Sequence, residues 1–363
     1  MKRLQHHYDS APPTPSNADA QTPAMRGFDA EFQDLVDYIL RITYRIWEGK
    51  QVGLCYDYYS ADCPVYTLSG VTIGAGEVTQ NTLATLASFP DRSLNAVNII
   101  CGGNDIDGFH SSHLISSHMT NLGDSDWGRA TGRQATILVI AHCIVKDNRV
   151  IEEWLVRDNY SLADQLGHDP HEVAKVWATK PVSRRLNDWR SGELTRLREQ
   201  VVFDRVVAGA DAESLVRGSL QNIWNARMVG DVYQCYAADA HLQGVSGRDL
   251  YGHNAIARFY TDILGTLSDL RFSVDYTCQK DRLSATQAAG VDLAARWSLS
   301  GVHTGNALYG PATGATIFIL GESHYHIVDG LIVEEWNIFD ELSVLAEVYR
   351  ARQAAADAAL HTP

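Results

Sequence analysis

The chain has 363 residues, of which 45% are hydrophobic and 20% charged, and its formal net charge is −14. This length is sufficient for two or three domains, each with its own core. The acidic balance and the lack of a basic cluster argue against nucleic acid as a partner. No apolar run approaches the ~20 residues of a membrane-spanning helix, so no membrane partner is expected either.

Residues 1–28 are predicted to form a disordered tail, since prolines and no apolar segment follow the basic start. The six cysteines stand alone within apolar patterns and lack the spacing of metal ligands, so we expect reduced, buried thiols, no bound metal and a cytoplasmic location. They are Cys55, Cys63, Cys101, Cys143, Cys235 and Cys278.

The first half of the chain reads as three helices followed by a sheet. Apolar residues at helical spacing predict the helices, and alternating patterns separated by turn residues predict the strands. In chain order these are helices 31–47, 54–59 and 78–89, with a short strand at 65–68 between the last two, and then strands 93–100, 110–120, 136–145 and 150–158. This order predicts an α+β domain with helices packed on one face of the sheet.

The last hairpin of this sheet is repeated near the end of the chain. The segments 142–158 and 324–340 share a histidine, a two-residue turn, a Glu-Glu-Trp sequence and a final aspartate, all 182 positions apart (324 − 142 and 340 − 158). Earlier landmarks also recur, 177 positions apart. We therefore predict one domain present twice, at 29–167 and 211–350, with a helical connector at 168–210 and a C-terminal tail at 351–363.

The motifs of the second copy carry a family resemblance. They are Ile223-Trp-Asn225, Tyr236-Ala-Ala-Asp239, Gly252-His-Asn-Ala-Ile256, Gly301-Val-His-Thr-Gly305, Pro311-Ala-Thr-Gly314 and Asp329-Gly-Leu-Ile-Val-Glu-Glu-Trp336. In this order they resemble the SnoaL-like polyketide cyclase family of NTF2-like fold. The first copy departs from that pattern at Asn121, where the family often has a histidine, and both copies have glutamate before the tryptophan, at Glu153 and Glu335.

The resemblance implies two tandem α+β domains, each a cone formed by a curved antiparallel sheet and about three helices. It also implies an apolar pocket inside the cone, and ring closure by intramolecular aldol condensation with an aspartate as acid and base, without metal or cofactor. Related domains often pair through their sheets, so we expect the two copies to pair within the chain. Further dimerisation is left open.

Asp340 is the principal catalytic candidate, because a carboxyl group buried among apolar walls has a raised pKa and can exchange protons near neutrality. On strict alternation Glu334, Trp336 and Asp340 share the pocket face of the last strand, with Tyr325 opposite Glu334. The equivalent residues of the first copy include Trp154 and Asp158. The alternative is that Asp340 and Asp158 are helix N-caps.

The same alternation places His324 opposite Glu335 and His142 opposite Glu153, away from the tryptophans. Such pairs are commonly structural hydrogen bonds, but a β-bulge would shift the register and bring the histidines inside. His303 could donate a hydrogen bond to an enolate oxygen, as could Tyr325 or Tyr309. The alternative for His303 is a polar residue at the rim.

Four aromatic residues of the predicted helices face the sheet and belong either to the core or to the pocket wall: Trp47, Tyr59, Trp224 and Tyr236. The resulting prediction is an enzyme of lyase or isomerase type that needs no cofactor. It would cyclise, isomerise or dehydrate a largely apolar small-molecule carbonyl compound. The alternatives are a non-catalytic ligand-binding or assembly module, and a domain that binds a peptide at the cone mouth. Open cavities would favour catalysis, and a filled one would favour a scaffold role for that copy.

Overall fold

The computed structural model describes residues 25–282 and 289–360. Most of the predicted N-terminal tail, and the last three residues, lie outside these ranges. The first helix, α1, spans Leu35–Trp47, and the Asp34 side chain caps it by accepting a hydrogen bond from the Asp37 amide at 2.8 Å. Its buried residues recur at helical spacing, as the sequence predicts.

The first domain continues with further helices and six strands after α1. They are α2 (Cys55–Tyr58), β1 (Pro64–Thr67), β2 (Gly70–Ile73), α3 (Gly74–Ser88), β3 (Ser93–Asn104), β4 (Gly108–Thr120), β5 (Gln134–Lys146), β6 (Arg149–Arg157) and α4 (Asn159–Gln165). The segment that follows contains α5 (Pro170–Thr179) and α6 (Arg184–Gln200).

The second domain repeats the same succession. Its elements are α7 (Ala212–Leu220), which continues as a π-helical turn (Gln221–Asn225), then α8 (Val232–Cys235), β7 (Tyr236–Gly244), β8 (Asp249–Tyr251), α9 (Gly252–Thr266), β9 (Leu267–Arg282), β10 (Gly290–His303), β11 (Thr316–Val328), β12 (Leu331–Phe339) and α10 (Glu341–Leu360). Helix α10 continues beyond the predicted domain end at residue 350. Among the helices of the described ranges, none is long and apolar enough to cross a membrane.

The two sheets have the same strand order, which confirms the predicted duplication. The first is β2-β1-β6-β5-β4-β3 and the second is β8-β7-β12-β11-β10-β9. Each is antiparallel except at one place, where β1 runs parallel to β6 and β7 runs parallel to β12. The α+β prediction is therefore confirmed, with the correction that both sheets are mixed.

The two domains pack through the outer faces of their sheets. Asn98 of β3 donates a hydrogen bond to Asp292 of β10 at 3.0 Å, and the guanidinium carbon of Arg296 lies 3.3 Å from the ring centroid of Trp154. The connector also touches both domains, because Trp189 of α6 contacts the rings of Tyr66 and Phe318. One face of each sheet is thus occupied by the other domain, and the opposite face lines the interior of its own cone.

Candidate functional site

Each closing hairpin contains a β-bulge that decides which side chains enter the cone. In the second domain Tyr325 pairs with Glu335 and His324 with Trp336, and the register shifts beyond His326. The equivalent shift in the first domain lies between Ile144 and Val145. The predicted pairing of Tyr325 with Glu334 is therefore wrong by one residue, and a one-residue slip exchanges the two faces of a strand.

The bulge divides the predicted site between two environments. Tyr325 and Glu335 face the interior of the second cone, whereas His324 and Trp336 lie on the face that meets the other sheet. The first domain shows the same division, with His142 and Trp154 on the outer face. The expectation that Trp154 and Trp336 wall the pocket is therefore wrong. A bulge was expected to bring the histidines inside, but with the bulge present they lie on the outer face, together with the tryptophans.

The histidines belong to a buried polar cluster between the sheets. His142 Nδ1 lies 3.0 Å from Glu322 Oε1, while the Ser112 hydroxyl lies 2.5 Å from that same oxygen and 2.7 Å from His324 Nε2. Burial tends to raise the pKa of Glu322, but the interactions with His142 and Ser112 outweigh it and lower the pKa. Burial lowers the pKa of His324 to about 4. These contacts join the domains.

Asp340 and Asp158 are helix caps. Asp340 accepts hydrogen bonds from the Ser343 amide at 3.1 Å and its hydroxyl at 2.7 Å, at the start of α10, and from Asn159 Nδ2 at 2.7 Å. Asp158 accepts from the Ser161 amide at the start of α4 and from the Ser246 amide. Burial raises the pKa of both carboxyl groups. The structure thus supports the N-cap alternative.

The remaining candidates of the second domain are dispersed. His303 Nδ1 lies 3.0 Å from the Thr313 hydroxyl. Leu293, which pairs with Tyr325, is ten residues from His303 along β10, or about 30 Å at the rise of a strand. Tyr309 donates to the Glu341 carboxylate at 2.8 Å, and Glu334 lies partly exposed beside Arg282. These residues do not form a common site.

The interior of the second cone is filled by its own side chains. The Glu335 carboxylate accepts hydrogen bonds from Tyr236, from Asn337 Nδ2 at 2.9 Å and from Ser323 Oγ at 3.2 Å. Trp224 and Tyr325 are both buried in this core. Trp224 and Tyr236 are therefore core residues, which was one of their two predicted roles.

The first cone, in contrast, encloses a cavity of about 800 Å³. The concave face of its sheet forms one wall, α1 and α3 form the other, and the loop at 124–127 lies at one end. Trp47 and Tyr59, which the sequence places at either a core or a pocket wall, line this cavity. Its volume lies within the range of small-molecule sites in proteins.

Glu153 is the buried carboxyl group of the cavity. Tyr59 donates a hydrogen bond to its Oε2 at 3.0 Å, and only 6% of the residue is exposed. Burial raises the pKa of this carboxyl group, although the Tyr59 hydrogen bond and the charge of Arg157 act in the opposite direction. Glu153 is the counterpart of Glu335, but has fewer hydrogen-bond donors around it.

Two further polar side chains of β4 line the cavity with atoms that have no partner among the described residues. These atoms are Ser111 Oγ and His113 Nε2. Burial lowers the pKa of His113 to about 3, so the imidazole is neutral at physiological pH. Buried polar atoms are nearly always hydrogen-bonded, so unsatisfied ones on a cavity wall indicate a place for a ligand or water.

Two arginines also line the cavity. Arg92 donates from Nε to the Ser117 hydroxyl at 3.0 Å, and its guanidinium carbon lies 5.0 Å from the ring centroid of Trp47. Arg157 lies on the same face of β6 as Glu153, four residues further along. Burial lowers the pKa of both guanidinium groups, that of Arg92 to about 9.

Sequence reasoning missed Ser111, His113, Arg92 and Arg157, and it placed Glu153 on the wrong face. One signal was available in the aligned copies. At some inward positions the first copy carries a smaller side chain than the second, as at Cys143 and its counterpart Tyr325. In the described ranges, no group of three histidine, cysteine, aspartate or glutamate residues is arranged to hold a metal ion.

Comparison with known proteins gives one family match, which lies within the second domain. A model of the SnoaL-like polyketide cyclase family matches residues 214–348. Among solved structures, TsrD from Streptomyces laurentii is 16% identical over 36% of this chain and 93% of its own, with a TM-score of 0.32. IdmH from Streptomyces antibioticus is 18% identical over 36% of this chain and 97% of its own, with a TM-score of 0.32. No curated protein matches the sequence.

Proposed function

We propose, from the match of residues 214–348 to the SnoaL-like polyketide cyclase family, that the chain is a small-molecule enzyme whose reaction takes place in the cavity of the first domain. Glu153, and not Asp340, is then the catalytic carboxyl group. Its main support is a buried Glu153 with a raised pKa on the wall of a cavity of about 800 Å³. The filled second domain serves as a scaffold.

In the proposed mechanism Glu153 is the acid and base. Its carboxylate removes a proton from the carbon next to a substrate carbonyl, and the electron pair of the broken C–H bond forms an enolate. The neutral His113 donates a hydrogen bond from Nε2 to the enolate oxygen, as the Ser111 hydroxyl can also do. The enolate carbon then attacks a second carbonyl of the same molecule. Glu153 returns its proton to the new alkoxide, which completes an aldol cyclisation.

Proton removal can be measured without knowing the natural substrate. The test follows deuterium incorporation next to the carbonyl of β-tetralone in heavy water by NMR. We expect exchange above the buffer rate for the full chain, and a decrease of about 10²–10⁴-fold for Glu153→Gln, the usual contribution of a general base. The matched control is Glu335→Gln at the equivalent position of the second domain, which should retain the wild-type rate. Absence of exchange, or a Glu153→Gln variant as fast as wild type, would falsify the assignment.

The pH profile gives a second test. Glu153 must be ionised to accept a proton, so the rate should rise with pH around its pKa, with a midpoint above the ordinary value of 4.5. Tyr59→Phe removes the hydrogen bond that stabilises the carboxylate, so the midpoint should move to higher pH. A purely structural role for Tyr59 would change the rate and leave the midpoint in place.

A further inference from the structure

The two cavity arginines lack a counterion that matches their charge. Arg157 is partly buried, and within residues 25–282 and 289–360 it makes no hydrogen bond or ion pair, while its Nε is fully buried without a partner. Arg92 is only 6% exposed and is hydrogen-bonded to a neutral hydroxyl. A buried guanidinium group is costly unless an anion or several acceptors compensate it.

The nearby carboxyl groups form no ion pair with either arginine in the described ranges. Glu48, which interacts with the charge of Arg92, accepts a hydrogen bond from the Leu94 amide at 2.6 Å through Oε1, and its Oε2 is buried without a partner. Glu153 and Asp340 interact with the charge of Arg157, but Glu153 is hydrogen-bonded to Tyr59, and Asp340 to Ser343 and Asn159. The two arginines also repel each other, which contributes to the lowered pKa of Arg92. A monoanion bound between them would relieve this repulsion.

The positive end of the cavity is separated from the reactive end. Arg157 follows Glu153 by four residues on the same face of β6, or about 13 Å between Cα atoms at the rise of a strand. On β4, His113 lies four residues before Ser117, whose hydroxyl accepts the hydrogen bond from Arg92. The cavity therefore has cationic side chains at one end, the Glu153 carboxyl group at the other, and His113 between them.

We propose that the substrate of this cavity carries a carboxylate, which Arg92 and Arg157 bind while the reacting carbonyl lies near Glu153. Guanidinium groups form strong, directional hydrogen bonds with carboxylates. Asp124 and Asp126 also line the cavity, and their negative charges repel a dianion such as phosphate more strongly than a monoanion. The placement of the carbonyl rests on the proposed function, whereas the carboxylate site rests only on the arginines.

The test compares two ligands of nearly the same shape, β-benzoylpropionate, which is an anion, and its primary amide, which is neutral. Their dissociation constants are measured by calorimetry with the full chain. We expect the keto acid to bind at least tenfold more tightly than the amide, and this preference to disappear in Arg157→Gln and in Arg92→Gln. Unchanged affinity for the amide shows that the cavity of each variant is intact. The matched control is Arg198→Gln on the exposed face of α6, which should keep the preference.

Further measurements distinguish the carboxylate site from a phosphate site and from the catalytic proposal. Inorganic phosphate at millimolar concentration should not displace the keto acid; displacement would indicate a phosphate site instead. Glu153→Gln should lose proton exchange but retain the preference for the carboxylate. Failure of the catalytic proposal can therefore be distinguished from failure of the carboxylate site. Equal affinity of the wild-type chain for acid and amide would overturn the inference. A preference that survives in the Arg92→Gln/Arg157→Gln double variant would do the same.

Discussion

The two cones share strand order and a central tyrosine–glutamate hydrogen bond, but one is open and the other is filled. Tyr59 and Glu153 form this pair in the first domain, and Tyr236 and Glu335 form it in the second. The difference arises from the residues around the pair. It shows that a duplicated fold can keep its backbone plan while a few inward side chains decide whether a cavity exists.

One pair of positions shows how the second cone is filled. Trp297 of β10 occupies the interior, and a Cβ atom at Gly321 would lie 2.1 Å from its ring. The equivalent residues of the first domain, 182 positions earlier, are Ile115 and Val139. The glycine thus makes room for the indole, whereas the first domain has a side chain at both positions and neither is large enough to close the cavity.

Charge differs between the cones as well. Arg157 lines the open cone, and its counterpart in the second domain is Phe339, which is buried. A guanidinium group can remain where water or a ligand reaches it, whereas an aromatic ring suits a close-packed interior. The open cone therefore combines space, charge and unsatisfied polar atoms.

The largest difference between the cones should appear in stability. Tyr325→Ala removes a buried aromatic side chain from the filled cone and should reduce the free energy of unfolding by about 3–5 kcal/mol. Cys143→Ala at the equivalent position borders the existing cavity, so its cost should stay below about 1 kcal/mol, because few packing contacts are lost. Urea unfolding of both variants measures the two values. Equal losses would contradict the contrast between a filled and an open interior.

The second largest effect is expected from a substitution that fills the open cone. Cys143→Tyr introduces the residue that the second domain has at this position and should exclude substrate from Glu153. We expect deuterium exchange in β-tetralone to fall on the order of 10²-fold, a change of about 2.7 kcal/mol in activation free energy. The thermal unfolding midpoint checks that the variant is folded. A folded variant with wild-type exchange would place the reaction outside the first cone.

The smallest effect concerns Asp340. Because its carboxyl group caps α10 and accepts from Asn159, Asp340→Ala should cost about 1–2 kcal/mol of stability. The exchange rate should stay within about twofold of wild type, since Asp340 is not one of the residues that line the cavity. Denaturant unfolding and NMR exchange on the same sample provide both numbers. A large loss of exchange without loss of stability would return Asp340 to the active site.

The sequence by itself determined the doubled architecture and the α+β class, because repeated motifs, apolar periodicity and turn residues are local signals. It also offered the cap interpretation of Asp340 and the cavity-wall interpretation of Trp47 and Tyr59. The choice between those alternatives required knowing which elements meet in space. Local patterns do not contain that information.

The tertiary structure alone decided which residues enter each cone. Val333 and Ile151 each stand as the extra residue of a β-bulge, yet both look like ordinary strand residues in the sequence. Since side chains alternate with a period of two, each single insertion reverses the inward and outward faces on one side of it. The same geometry turned Glu153 toward the cavity and His142 toward the neighbouring sheet. Whether the space inside was open then depended on side chains brought together from separate strands.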